Sequence, residues 1–576
     1  MAVTRGKGRV TRVNGPVVHV TGLVDPVRLE FVEVGRGRLP GEIIDVRRDV
    51  AVAQVYEYTG GLAVGEPARS HGRPLAVRLG PGLPGGIYDG LLRPLGQAEE
   101  FLGARQLLPP TPREHRFEPR VHEGDVVADG DAVGVVHDAG VPEHLVLVPA
   151  GGGGTVATVA PAGTYAATAE LVIVGDRRIR STSDWPIRTP RPARRRLAEQ
   201  QPFVTGQRVL DVLEPVARGS SATVIGGFGE GKTMLLEQLA KWGDADVVIY
   251  VGCGERGNEL ADLIGELDEL RDPRTGRSLS ERTILLANTS NMPVMAREAS
   301  IYTAATVAEY YRDMGLHAVI IADSTSRWAE ARRELASRTG AIPAEEGYPA
   351  DLPSSLAEFY QRAGRVTTTG GRDGAVTIVT SVSPPGGDVT EPVAAHTQRF
   401  VQTVWALDRD LAYSRHYPAV SWLRSFSRDA DAIGRWHTLA GDPAWATRRA
   451  RLQTLLNEAD RLRGIADLVG LSALPTEERL VLLGARLVVD AVLQQSALTE
   501  NDAHCSLAKQ RALVEGVLDV VDETRRLAGA GVPASVIEGV DLGPLVRCRE
   551  TVGPDDADGV SSVVAELIAN LEELAP

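Results

Sequence analysis

The sequence predicts a multidomain α/β and β chain: an N-terminal β-barrel, a β-rich insertion, a P-loop NTPase (RecA-like) α/β core and a C-terminal helical domain. Three observations carry this. Short β-branched runs cut by glycine and proline open the chain, strand-like apolar runs alternate with helix-compatible text between about residues 201 and 429, and long amphipathic stretches fill the remainder. The length of 576 residues agrees with several domains, and 43% apolar with 24% charged residues is the composition of packed globular proteins.

Residues 1–75 are expected to form the barrel. GRVTRVNGPVVHVTGL, VRLEFVEV and GEIIDVRRDVAVAQVYEYT are strand runs separated by turn residues, and closing such a sheet protects its edges. A connector is assigned to 76–113. Over 114–185, EPRVHEGDVVADGDAVGVV and LVLVPAGGGGTVATV carry Gly/Asp turns between short strands and resemble a barrel-sandwich module. No lysine stands at its Gly-Asp turns to carry a lipoyl or biotin group, so packing or docking is the expected role. In SDWPIRTPRPARRRL, Pro186, Pro190 and Pro192 interrupt helix formation and Arg191, Arg194, Arg195 and Arg196 form a basic run, which reads as a solvated linker. The nucleotide-binding α/β domain is assigned to 186–430 and the helical domain to 431–576.

The 62 basic and 76 acidic residues leave a net charge of −14, which disfavours a nucleic-acid binder. Cys253, Cys505 and Cys548 are too sparse for a disulfide scaffold and have no zinc-ligand spacing, as in a reducing compartment. The start MAVTRGKGRV lacks a signal-peptide core, and no run approaches about 20 apolar residues, so membrane association requires a partner.

The chemistry concentrates at strand ends. Gly226, Gly227, Phe228, Gly229, Glu230, Gly231, Lys232 and Thr233 satisfy GxxxxGKT between strand-like ATVI and the helix-like text beginning at Met234. Glycines let backbone amides turn toward phosphate oxygens, Lys232 reaches the transferable phosphate and Thr233 can ligate magnesium. Kinases, GTPases, helicases and motors share this cradle. Asp323 ends the strand-like run HAVIIAD, where its carboxylate can orient magnesium. VIYVGCGERGNE places Glu255, Arg256, Asn258 and Glu259 after another strand. Glu255 is the candidate base for the attacking water, Glu259 can position Glu255 or a nearby water, and Arg256 can pair with an acid or stabilise the fold. Cys253 reads as a small packed residue and His416 as a packed or surface histidine.

Taken together and in order, GGFGEGKT, VGCGERGNE, ERTILLANTSNMPVMAREASIYTAATVAEYYRDMG, ADSTSRWAEA, PAEEGYPA, SVSPPGGD and LQQSA resemble the catalytic A subunits of V-type, or archaeal A-type, rotary ATPases. The resemblance spans nearly the whole chain, insertion included. It implies interconversion of ATP and water with ADP and phosphate, coupled to transmembrane proton or sodium movement. It implies an A3B3 hexamer in which the B subunit supplies an arginine finger, central and peripheral stalk subunits, and a membrane ion rotor built from other chains. It places the chain peripherally on the cytoplasmic face of the membrane. By the same resemblance the cofactors are ATP/ADP and Mg2+, with Thr233 and Asp323 as metal residues and Glu255 as the water-activating glutamate. Arg327 matches the arginine near Asp323, and Tyr417 the aromatic that stacks on adenine.

Four positions depart from that pattern. Gly227 replaces a usual proline, and Glu230 stands where small or neutral residues are common and is expected to face solvent. Leu498 follows QQSA where an aromatic would complete the adenine pocket, and Ser355 replaces an arginine in ADLPSSLAEFY at an intersubunit or phosphate-proximal contact. The competing readings are a related export or translocation ATPase and a weakly catalytic nucleotide-binding structural subunit.

Overall fold

The computed structural model describes residues 6–95, 114–137, 140–141 and 143–575. The connector assigned to 76–113 lies outside the described residues from 96 onward.

Six antiparallel strands close the N-terminal barrel in the spatial order Lys7–Asn14, Val17–Thr21, Val50–Val55, Leu39–Arg47, Glu30–Val34, Pro67–Pro74. Val10, Val18, Val20, Val32, Ile43 and Val55 fill it. The insertion is two four-stranded sheets around Phe117, Val133, Val146, Val156, Val172 and Ile179. Its glycine run has a local purpose. The Asp129 carboxylate accepts the N–H groups of Gly151, Gly152 and Gly153 at 2.6, 3.1 and 3.0 Å, which fastens one turn to another. His144 docks the insertion on the core through Nε2 and the Tyr310 hydroxyl, 2.9 Å apart, and burial lowers the ring's pKa to about 3, so it is neutral at pH 7.

The basic, proline-bearing segment is no solvated linker. Ser183–Pro186 pairs with Ala76–Leu79, and Ala193–Arg196 pairs with Gly364–Thr368. Between them Arg188 reaches Glu42 of the barrel at 3.0 Å and Glu298 of the core at 2.7 Å, while Arg191 reaches Asp313 at 2.7 Å. Of the basic run, Arg194, Arg195 and Arg196 remain exposed. Proline forbids a helix here but allows an extended edge, and buried acids on the barrel and core give Arg188 and Arg191 partners.

A ten-stranded sheet forms the core. Its spine runs Phe426–Ser427, Thr403–Ala406, Ser221–Ile225, Asp373–Val382, His317–Asp323, Val247–Cys253, Thr283–Asn288, Ile87–Tyr88. All neighbours in this spine are parallel except the first pair. Ser221–Ile225, Val247–Cys253 and His317–Asp323 are buried throughout, which explains why they read as unbroken apolar runs. Connections between parallel strands return over the faces, so loops that carry chemistry gather at the carboxyl ends.

Helices Trp445–Val469, Thr476–Leu487, Leu507–Gly529 and Ala557–Glu572 build the C-terminal part. Arg208, fully buried, holds this part to the core. It pairs with Asp502 at 2.6 Å and donates to the carbonyls of Val492 and Gln494 at 2.8 and 2.5 Å. Truncating one partner of such a pair leaves an uncompensated buried charge and costs about 3–5 kcal/mol. Arg208→Met should therefore raise hydrogen exchange across 488–503. Unchanged exchange there would rule out the clamp.

Candidate nucleotide site

Strand register brings the candidate residues level. Gly252 pairs with Asp323, Ala322 with Thr380, and Ile225 with Val382, so four strands end side by side. The chain leaves Ser221–Ile225 through Gly226–Gly231 into the helix Lys232–Trp242. Gly231 caps that helix at φ +96°, in the left-handed region that favours glycine. The helix N-terminus and its free amides then face the loop, a ready anion site.

Thr233 Oγ1 donates to Asp323 Oδ2 at 2.8 Å, and Ser381 Oγ donates to Oδ1 at 2.5 Å. Burial pushes the Asp323 carboxyl up, opposed by the Ser381 and Thr233 hydrogen bonds and by Lys232. Lys232 Nζ donates to the carbonyls of Gly226 and Gly227 at 2.8 and 2.5 Å. Its pKa is lowered by burial against the pull of Asp323, Glu230 and Glu255. Glu255 and Glu259 are half-buried and hydrogen-bonded to each other. Burial first, then the charge of Asp323 and the contact with Glu259, raise the Glu255 carboxyl to about 8, with Arg327 opposing. A proton acceptor with a pKa near working pH suits general-base chemistry.

The remaining candidates form a rim. Tyr417 lies over the loop, since a methyl on Gly231 would sit 3.6 Å from its ring. The Gln495 N–H donates to the Tyr417 carbonyl at 2.8 Å, which brings QQSA alongside, yet Leu498 is 94% exposed and packs on nothing there. Phe228 is 99% exposed at the loop tip, and Met234 is half-exposed. Arg327 lies in the first turn of the helix Thr325–Thr339 after Asp323 and pairs with Glu330 at 3.0 Å. Arg256 is exposed at its helix start, and among the described residues it has no side-chain hydrogen bond or ion pair, so the acid partner expected for it is not found there.

One further expectation is corrected. Glu230 does not face solvent: its carboxylate folds back on the loop and accepts the Gly227 N–H at 2.6 Å, because glycine at 227 leaves both room and a donor. Ser355 is buried away from the phosphate loop. It lines a cavity of about 670 Å³ with Glu42, Arg188, Glu298 and Arg332, between barrel and core. Cys253 is buried with its thiol pushed up to about 12 by burial, an inert packed residue. His416 packs edge-on against Trp422, and burial lowers its pKa to about 4. The residue that sequence reasoning missed is Ser381. Its only signal was a hydroxyl ending the apolar run TIVTSV, inside a motif that had no role assigned.

Residues 206–427 match the nucleotide-binding domain of the ATP synthase alpha/beta family, and 3–72 match that family's beta-barrel domain. Residues 110–188 match the ATP synthase alpha/beta subunit barrel-sandwich domain, and 435–527 the C-terminal domain of V and A type ATP synthase. The V-type ATP synthase alpha chain of Anaeromyxobacter dehalogenans is 47% identical over 573 residues, covering 98% of each chain. The corresponding A subunit of the A-type ATP synthase of Thermofilum pendens is 44% identical over 582 residues, covering 99% of this chain and 96% of that one. The chain belongs to the A subunit (alpha chain) family of A-type and V-type ATP synthases. As a family member it is a P-loop enzyme that binds ATP and ADP. The assembled ATPase EscN of the enteropathogenic E. coli type III secretion system shares the fold, with a TM-score of 0.65 at 20% identity over 89% of this chain and 100% of that one. Identity so low speaks to fold and leaves the family assignment unchanged.

In the assembled enzyme kcat/KM should rise with pH through about 8 as Glu255 loses its proton, since the proton-accepting form predominates only above the raised pKa. A profile flat from about pH 6 to 9 would remove Glu255 as the base.

Proposed function

We propose that this chain is the catalytic subunit of a rotary ion-translocating ATPase or ATP synthase, working at the cytoplasmic face of a membrane in alternation with a B subunit. The observation that carries the reading is the convergence of Lys232, Thr233, Asp323 and Glu255 at the carboxyl ends of adjacent strands. In hydrolysis, water oxygen attacks the terminal phosphorus, Glu255 accepts the water proton, and the bond to the bridging oxygen breaks to leave ADP and phosphate. Lys232 exchanges its loop carbonyls for phosphate oxygens.

The donor set suits Mg2+. Thr233 Oγ1 and Asp323 Oδ2 are hard oxygens 2.8 Å apart, and among the described residues no cluster of three or more His, Cys, Asp or Glu exists for an all-protein cage. Mg2+ takes few protein ligands beside phosphates and water. Bound there it would neutralise charge on the terminal phosphates; Thr233 and Asp323 would hold it directly or through water.

The rim supports a shared site. Arg256, Arg327, Tyr417 and Leu498 are partly or fully open, so one wall of the site is left for a neighbour to complete. An arginine from a neighbouring B subunit would reach the transition-state charge only when the interface closes, so chemistry would follow rotor-driven geometry. Among the described residues no helix is long and apolar enough to cross a membrane, so ion movement would belong to other subunits reached through stalks.

Reconstituted with its cognate B chain, the protein should hydrolyse MgATP, and Glu255→Gln should lower turnover about 100-fold or more while nucleotide still binds. Unchanged turnover in that variant would contradict the assignment.

A further inference from the structure

The GxxxxGKT pattern fixes Gly226, Gly231, Lys232 and Thr233 and leaves positions 227 and 230 free. In the folded loop these two free positions touch. The Gly227 N–H donates to Glu230 Oε2 at 2.6 Å. A Cβ built on Gly227 would lie 2.6 Å from Glu230 Oε1, and one on Gly226 would lie 2.7 Å from Oε2. The carboxylate thus fills space that any side chain at 226 or 227 would need. It also uses a donor that proline lacks.

A second contact falls on the same peptide unit. The carbonyl of Gly226 and the N–H of Gly227 belong to one plane; Lys232 Nζ holds the carbonyl at 2.8 Å while Glu230 holds the N–H. Glycine at 227 would otherwise leave this peptide free to turn, because it restricts neither dihedral. When Lys232 leaves for a phosphate, the Glu230 bond is the hold that stays.

We propose that Glu230 is a positioning residue for the phosphate loop, and that Gly227 and Glu230 act as one coupled pair in which a charge-assisted hydrogen bond does what a rigid residue at 227 would do. The two departures from the family pattern are then a single feature, each permitting the other. The inference rests on the reading of Gly226–Thr233 as the nucleotide loop.

The test is a double-variant cycle in the complex assembled with the cognate B chain: wild type, Glu230→Ser, Gly227→Pro and the double variant. Binding of a fluorescent ATP analogue with Mg2+, kcat and KM are measured for each. Glu230→Ser should raise KM about tenfold while kcat falls less, as expected for losing a hydrogen bond to a charged group. Gly227→Pro alone loses the donor and collides with the carboxylate, so kcat/KM should fall at least about tenfold. The double variant removes the collision and supplies a fixed φ, and should recover to within about threefold of wild type. Additive losses would overturn the coupling. If Gly227→Pro does not assemble, Glu230→Gln decides: it keeps an acceptor and should lose clearly less than Glu230→Ser, and equal losses would overturn the proposal. A wild-type complex that binds no analogue would instead overturn the nucleotide-loop reading itself.

Discussion

The site is organised around one buried carboxylate. Asp323 ends a wholly buried strand, and taking a carboxylate out of water costs several kcal/mol unless its oxygens are satisfied. Each oxygen receives a hydroxyl, one from Thr233 at the start of the phosphate-loop helix and one from Ser381 at the end of the neighbouring strand. Those hydroxyls arrive only if the strand register is correct, and a shift of one residue would turn every side chain to the opposite face. The sheet therefore fixes more than a scaffold: it fixes the distance between the phosphate loop and the carboxylate. Glu255, two residues beyond the strand that pairs with Asp323, has its carboxyl raised first by its own burial and then by the Asp323 charge.

Much of this was legible in the sequence because the chemistry is local. The loop glycines, Lys232 and Thr233 lie within one short segment, and Asp323 and Glu255 each end an apolar run. The β-barrel and β-rich insertion were readable from strand runs and turns for the same reason. What escaped reading depends on contacts between distant segments. Arg188 stands among prolines and other arginines, and only the fold brings Glu42 and Glu298 to it across 146 and 110 residues. Ser381 looked like one more hydroxyl in a β run. The inward turn of Glu230 is not legible either, because the orientation of a side chain in a glycine-rich loop depends on what the neighbouring residues leave open.

The exposed rim and the buried centre divide the work. Thr233, Asp323 and Ser381 are fixed by packing before any ligand arrives, as a preorganised site requires. Tyr417, Phe228, Leu498, Arg256 and Arg327 are partly or largely open, and in the proposed hexamer they lie where a neighbour could cover them. In that proposed hexamer, a rigid interior beside an open rim would let closure, and not assembly of the catalytic groups, control the reaction.

Asp323→Asn tests this most directly, with ATP turnover and thermal stability measured together in the assembled complex. Asparagine nearly matches the shape and relieves a desolvated charge. If the carboxylate exists for chemistry, turnover should fall by about 100-fold or more while stability is unchanged or higher. Retained turnover with lost stability would show instead that Asp323 serves the fold, and would contradict the account.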